Sequence, residues 1–263
     1  MEQIQAPPPA FETFEQCAVF YDRLTAHHDY ELWTSVLEGA ARRQGLAGSR
    51  LLDIACGTGK SFLPLLERGY RVTACDVSQA MLMRATTKCD GRASLHVADM
   101  RNLPELGEHD LVTCLDEPLN YLLRKSDVRL AFGSAAGCLA RDGIYLFDLN
   151  TLYTYRTDFA QDDCYEQDGW FFVWRGEGRE DAAPGSKVGL LIEAFAPLPD
   201  GNWRRFTSRH IQRHYTNDFV VSELERAGLD CLAVHGQHPD GTLDEELDEL
   251  RHTKRIYIAR PAR

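Results

Sequence analysis

The 263-residue chain predicts an α/β protein: a doubly wound, mostly parallel sheet, preceded by N-terminal helices and interrupted by a small antiparallel β insert. Three observations predict it. Between Arg50 and Asn150, short apolar runs alternate with stretches of helical period, and such alternation builds a parallel sheet covered on both faces. The runs are continuous, as in Ile144-Tyr145-Leu146-Phe147, which suits strands buried on both sides. After Thr151 the pattern changes to longer strand-like runs separated by turn residues.

The Pro-rich first ten residues read as a frayed end. From Phe11 to Arg43 the period is helical, with one stripe through Phe14, Cys17 and Tyr21 and another through Tyr30, Trp33 and Leu37. His27-His28-Asp29 marks a break between them. Strands are expected at Arg50–Ala55, Arg71–Asp76, Ser94–Ala98, Asp110–Leu115 and Gly143–Asn150, and helices near Lys60–Arg68, Ser78–Cys89 and Asp127–Ala140. Trp170–Trp174, Lys187–Phe195 and Trp203–Tyr215 read as antiparallel strands. Regular alternation puts Arg204, Phe206, Ser208, His210, Gln212 and His214 on one side of the last of these. Thr216 or Asn217 caps a helix that Gly228 ends. Leu229–Val234 and Arg255–Ala259 read as strands, and the acidic stretch Asp240–Leu250 between them as an exposed loop or short helix. Four units follow: a helical lid over 1–45, a ligand-binding α/β core over 46–150, a β insert over the active site at 151–215, and the end of the core at 216–263.

With 44% hydrophobic and 26% charged residues, the chain lacks the composition of a disordered protein. Its longest apolar run, around Leu111–Leu115, falls far short of the roughly 20 residues of a membrane span. The opening residues lack a basic segment followed by an apolar stretch, so a cytoplasmic protein is expected. A net charge of −11 counts against nucleic-acid partners, although Arg204, Arg205, Arg209 and Arg213 leave room for a phosphorylated small substrate. The eight cysteines form no C-x-x-C pair and have no histidine at zinc spacing, so free thiols and no metal site are expected.

The most informative segment is Leu51-Leu52-Asp53-Ile54-Ala55-Cys56-Gly57-Thr58-Gly59-Lys60, a buried strand running into a Gly-rich turn and a helix. Glycines there allow positive φ and close backbone approach to a ligand. The dinucleotide fingerprint G-x-G-x-x-G fails because Phe62 occupies the third glycine position, which argues against a nicotinamide-dependent reductase. The phosphate-binding P-loop fails because Ile54 stands where its first glycine belongs. Asp76 and Asp99 end the next two strands. An acid at the end of the second strand can accept both hydroxyls of a ribose. Asp76 could instead cap the following helix, but Ser78 is the better cap. Asp99 alone could be a turn residue.

Asp53-x-x-Cys56-Gly57-Thr58-Gly59, followed by Asp76 and Asp99, resembles the cofactor loop of the class I S-adenosylmethionine (SAM)-dependent methyltransferases. The likeness extends from about Phe14 to the C-terminus. It includes Tyr21-Asp22, Asp29-Tyr30-x-x-Trp33 and Asp110 to Tyr121, and within the family it is nearest to small-molecule enzymes such as the amino-sugar N-methyltransferases of macrolide biosynthesis. The resemblance implies a Rossmann-like, seven-stranded sheet, SAM as cofactor and S-adenosylhomocysteine as product. It implies a cofactor site made of Tyr21, Trp33, Asp53, Ala55, Cys56, Gly57 and Gly59, then Asp76, Val77 and Met81, then Asp99, Met100 and Leu115.

In open α/β sheets the ligand lies beyond the carboxyl ends of the strands, so Asp53, Asp76, Asp99, Asp116 and Asn150 should face one crevice. Methyl transfer needs alignment, dryness and, for a hydroxyl acceptor, a base. Base candidates are Asp116, Glu117, His210 and His214, and Tyr21 and Tyr121 could orient the acceptor. The bland readings are a solvated strand for the histidines and core packing for Tyr121. A histidine stands at the Tyr121 position in the amino-sugar enzymes, and Arg255 lies near an acceptor-binding arginine of theirs. The expected function is methylation of nitrogen or oxygen on a small molecule of secondary metabolism. The alternatives are a tRNA or protein methyltransferase and a non-catalytic SAM-binding protein.

Overall fold

The computed structural model describes residues 10–262, apart from the side chain of Phe11, and the frayed end expected before Ala10 lies outside them. Three helices lead: α1 (Ala10–Cys17), α2 (Tyr21–Leu24) and α3 (Tyr30–Arg43). The break falls at His27–Asp29, where the Asp29 carboxylate accepts the Leu32 N–H at 2.9 Å and starts α3.

The core then alternates as expected: β1 (Arg50–Ile54), α4 (Leu63–Glu67), β2 (Arg71–Asp76), α5 (Gln79–Cys89), β3 (Ala93–Val97), β4 (His109–Cys114), α6 (Lys125–Ala136) and β5 (Leu139–Asn150). A single 3-10 turn, Pro118–Tyr121, follows β4. Beyond the insert come α8 (Asn217–Arg226), β10 (Leu229–Gln237), β11 (Leu243–Asp244) and β12 (Lys254–Pro261). The sheet order is β11-β10-β12-β5-β4-β1-β2-β3, with β1 to β5 parallel and β12 antiparallel between β5 and β10. In that register Lys254 pairs with Asn150. The acidic stretch read as loop or short helix contributes an eighth, two-residue strand, because Leu243 and Asp244 find the open edge of β10. Seven strands of ordinary length remain, with an apolar cluster on each face of the sheet. On one face the Phe147 and Tyr257 rings stack 4.8 Å apart.

The insert opens with α7 (Leu152–Arg156) and forms a separate antiparallel meander of four strands: β6 (Asp162–Gln167), β7 (Trp170–Gly176), β8 (Lys187–Pro197) and β9 (Trp203–Arg213). Strand β6 escapes the sequence reading because Asp-Asp-Cys-Tyr-Glu-Gln has no apolar alternation; as an edge strand it needs only one neighbour. The meander packs Phe172, Leu190 and Ile192 against Cys17, Phe20 and Leu24 of the leading helices. On β9 the alternation runs as expected, with Ser208, His210 and Gln212 buried and Arg205, Thr207 and Arg209 exposed. No described helix is long and apolar enough to cross a membrane.

Candidate active site

The carboxyl ends of β1 to β4 open onto a cavity of about 350 Å³. Its floor is the glycine turn. Ala55 has φ 57° and Gly57 φ 54°, so the chain leaves β1 in left-handed steps. Gly59 has a packing reason as well, because a Cβ there would stand 2.9 Å from the Phe62 ring. Phe62 thus fills the place a third glycine would leave, and is wholly buried.

Asp76 reaches this turn from β2. Its carboxylate accepts the Gly57 N–H and the Ser78 N–H, each at 2.8 Å. Burial pushes the carboxyl up to about 6, against the pull of these N–H bonds. Ser78 caps α5 by accepting the Met81 N–H, so Asp76 is free of that task. At the end of β3, Asp99 forms a two-pronged ion pair with Arg101, which holds its carboxyl below the usual range, and also accepts the Arg101 N–H. Val77, Met81, Met100 and Leu115 supply apolar walls, and Thr13, Phe14 and Tyr21 close the cavity from the leading helices. Those helices are tied down: the Glu15 carboxylate accepts from Ser78 Oγ at 2.9 Å, and Thr13 Oγ1 donates to the Arg209 carbonyl at 2.8 Å.

Not every residue expected at the cofactor reaches this cavity. Asp53 lies beneath the turn, accepting from Ser61 and Thr113 hydroxyls at 2.6 Å each, and Cys56 is buried there too. Gly59 shapes the turn without lining the cavity. Trp33 stands elsewhere: its indole N–H donates to Gln237 at 2.6 Å, and its ring lies 5.3 Å from Lys254 Nζ.

A second cleft, of about 240 Å³, adjoins the first, and both are lined by Phe14, Tyr21, Asp116 and Tyr121. Its walls include Phe159, Tyr165 and Trp174 of the insert. At its base, the chain leaving β4 passes through Asp116 (φ 73°) and Glu117 (φ 53°), two successive non-glycine residues in the left-handed region. Such residues cost about 1–3 kcal/mol each and persist only where their surroundings hold them. Asp148 of β5 does the holding: its buried carboxylate accepts the Asp116 N–H at 2.7 Å and the Glu117 N–H at 3.0 Å. Lys254 Nζ, entering from β12, contacts the carboxylates of Asp116 and Asp148 at 3.0 Å each, and that of Glu117. Asp116 also accepts the hydroxyls of Tyr21 at 3.1 Å and Tyr30 at 2.9 Å.

Three buried acids around one lysine do not ionise alike. Asp116, beside Lys254 and two phenols, is held well below the usual carboxylate range despite its burial. Glu117 is pushed up to about 8 by burial, outweighing Lys254, with the charges of Asp116 and Asp148 adding to the rise. Asp148 is also raised, by burial first.

His210 reaches the same cleft. Its Nδ1 lies 2.8 Å from Tyr121 Oη and its Nε2 2.9 Å from Ser208 Oγ, and burial pushes the imidazole down to about 4. It is therefore a neutral ring with both nitrogens engaged, and the solvated reading of it fails. His214 is also buried but lines neither cavity: its Nδ1 accepts the Gly185 N–H at 3.2 Å, leaving Nε2 to face Glu249 at 3.3 Å. Arg255 is buried behind the cleft against Glu249 and the Asn150 carbonyl. Asn150 lines the cleft and donates to Gln212 at 2.9 Å.

Sequence reasoning missed Lys254 and Asp148. Asp148 is a charge inside a continuous buried strand, a placement that could have found it, whereas Lys254 opens β12 and carries no such signal. It also missed the cluster of His238, Asp244 and His252, whose ring nitrogens meet one Asp244 oxygen at 3.0 and 3.1 Å. Since His252 Nδ1 accepts the Asp248 N–H, its proton sits on Nε2 and points at Asp244. That is a hydrogen-bond clamp on the loop between β10 and β12.

The first cavity suits SAM by its donor set: a carboxylate with lone pairs to spare for a vicinal diol, an apolar slot beside a second acid, and a glycine turn without side-chain bulk. Comparisons with known proteins agree. The family profile described as a methyltransferase domain matches residues 51–143. A protein of Geobacillus sp. (strain WCH70), named as a methyltransferase without a stated acceptor, is 30% identical over 245 residues, covering 90% of this chain and 97% of its own. A crystal structure of a SAM-dependent methyltransferase from Clostridium acetobutylicum superposes with a TM-score of 0.79 at 22% identity, over 93% of this chain and 97% of that one. SAM-bound CalS10, an amino pentose methyltransferase from Micromonospora echinaspora, gives 0.71 at 18% identity, over 93% and 97%. Motif, cavity and relatives converge, and the chain belongs to the class I SAM-dependent methyltransferases.

Proposed function

We propose that the protein methylates the nitrogen of a small amine. The observation that carries this reading is the acceptor-side cleft: an aromatic box whose base bears Asp116, Glu117 and Lys254, with Asp148 buried behind them. Three acids outnumber the one lysine there, so as Glu117 ionises near pH 8 the base gains negative charge and favours a cation over a carboxylate or phosphate. Tyr165 and Trp174 add π faces that favour ammonium groups.

SAM, when bound, supplies the methyl group on a sulfonium. Asp76 would hold its ribose hydroxyls, Gly57 and Ala55 its amino-acid end, and Asp99, Val77, Met81 and Met100 its adenine, with Leu115 as a wall. Asp53, Cys56 and Gly59 act from beneath, by fixing the turn. Tyr21, Asp116 and Tyr121, shared by both cavities, orient the acceptor where donor and acceptor meet. His210 positions the Tyr121 hydroxyl. The described part of the expected lid, residues 10–45, covers the site, and the insert of residues 151–215 walls the acceptor side and keeps water out. His214 and Trp33 act through packing.

The test is release of S-adenosylhomocysteine by purified protein offered nucleotide-linked amino sugars, simple amines, phenols, carboxylates and bulk tRNA. Turnover confined to amines is expected. Turnover on phenols, carboxylates or tRNA without amines overturns the reading.

A further inference from the structure

We infer that Glu117 takes the proton from the acceptor's ammonium group, and that Asp148 and Lys254 are the positioning residues that hold it for this task. The inference rests on the amine reading above. An amine enters water at neutral pH as R–NH3+ and has no lone pair to offer a methyl group. Transfer of one N–H proton to the Glu117 carboxylate gives R–NH2 and a neutral carboxylic acid, and that proton returns to water when the product leaves. Charge and atoms balance with no further reactant.

Four observations single out Glu117. It lines the acceptor cleft and, unlike Asp116, not the donor cavity. Among the described residues Lys254 is the only hydrogen-bond partner of its carboxylate, whereas Asp116 is engaged by Tyr21, Tyr30 and Lys254. The backbone at Asp116 and Glu117 is left-handed, a conformation that costs non-glycine residues energy, and Asp148 grips it through both N–H groups. Of the other bases the sequence suggests, both His210 nitrogens are engaged, and His214 is outside the cleft. The groups facing Glu117 are Asp116, Asp148, Lys254, Tyr21, Tyr121 and Tyr155, with His28 beyond Asp116. Burial among these acids raises its carboxyl to about 8, within reach of ordinary amines, where proton transfer between matched groups is efficient.

The first test needs no acceptor. Tetramethylammonium serves as a permanent cation for the cleft, and calorimetry in two buffers of different ionisation heat counts the protons released as it binds at pH 7. The wild type should release close to one, Glu117→Gln none, and Glu117→Asp, which keeps the acid, most of one. Infrared titration of the ligand-free protein should show a protonated carboxyl that disappears near pH 8, is missing in Glu117→Gln, and titrates lower in Asp148→Asn, which removes a neighbouring negative charge. With an amine that turns over, Glu117→Gln should lower kcat by about 100-fold or more at pH 8, and the wild-type rise of kcat with pH should vanish. Amine turnover with unchanged kcat in Glu117→Gln, or equal proton release in wild type and Glu117→Gln, overturns the role of Glu117 and leaves the amine reading standing. Turnover on phenols or carboxylates alone overturns the amine reading itself, whatever the titrations give.

Discussion

The donor cavity and the acceptor cleft share four residues but are held together differently. In the donor cavity the acids at the ends of β2 and β3 are satisfied by nearby strand-end and turn residues. Asp76 is gripped by the N–H groups of Gly57 and Ser78, and Asp99 by Arg101 two residues on. In the acceptor cleft the partners are far apart in sequence: Asp116 and Lys254 are separated by 138 positions, Asp148 and Lys254 by 106, Tyr121 and His210 by 89. A cavity polarised by neighbouring backbone amides keeps its character wherever its strand ends are in place. A cleft balanced on one imported lysine depends on the whole fold being closed.

That contrast can be broken most forcefully at Lys254. Lys254→Met strips the shared cation from Asp116, Glu117 and Asp148 and leaves the ionised Asp116 without it, and an unpaired buried charge costs about 3–5 kcal/mol. Urea unfolding should show a loss of that size and turnover should collapse, while protein that remains folded should still bind SAM. An equal loss of SAM affinity would mean the two halves are not separable. Asp76→Ala should do the reverse: SAM affinity should fall by about 1–3 kcal/mol in calorimetry, as expected for hydrogen bonds to a charged group, and tetramethylammonium binding should be untouched. The smallest effect sharpens the same point. The Asp76 carboxyl lies near 6 in the free protein and its ionised form is the better hydroxyl acceptor, so SAM affinity should weaken as pH falls through 6. The weakening should be about twofold at pH 6 relative to pH 8, and absent in Asp76→Asn.

The same division governs what the sequence makes legible. The parallel sheet, the glycine turn and the acids at strand ends are written in contiguous residues, and Phe62, which looked like a defect in a nucleotide fingerprint, is the side chain that Gly59 makes room for. The insert was legible through its alternation on β9, but β6 was not, because a polar edge strand carries no periodic signal. Asp148 could be noticed as a charge in an apolar strand, but nothing local says that it meets Lys254 at Glu117; that follows only from β12 lying beside β5. Trp33 shows the converse: the family likeness puts it at the cofactor, whereas in this chain its indole faces Gln237 and Lys254.

The pairing of β12 with β5 also bears on how the molecule is assembled. Lys254 and Asn150 are about 100 residues apart, and closing a flexible loop of that length costs about 4 kcal/mol in chain entropy. The meander between them consists of neighbouring hairpins, whose local contacts cost less loop entropy to close. Once formed, it replaces most of the slack chain with a rigid span and brings the ends of β5 and β9 together, where Asn120 and Gln212 join them. The insert therefore acts as a splint for ring closure before it acts as a wall, and shortening it should slow refolding more than it lowers equilibrium stability.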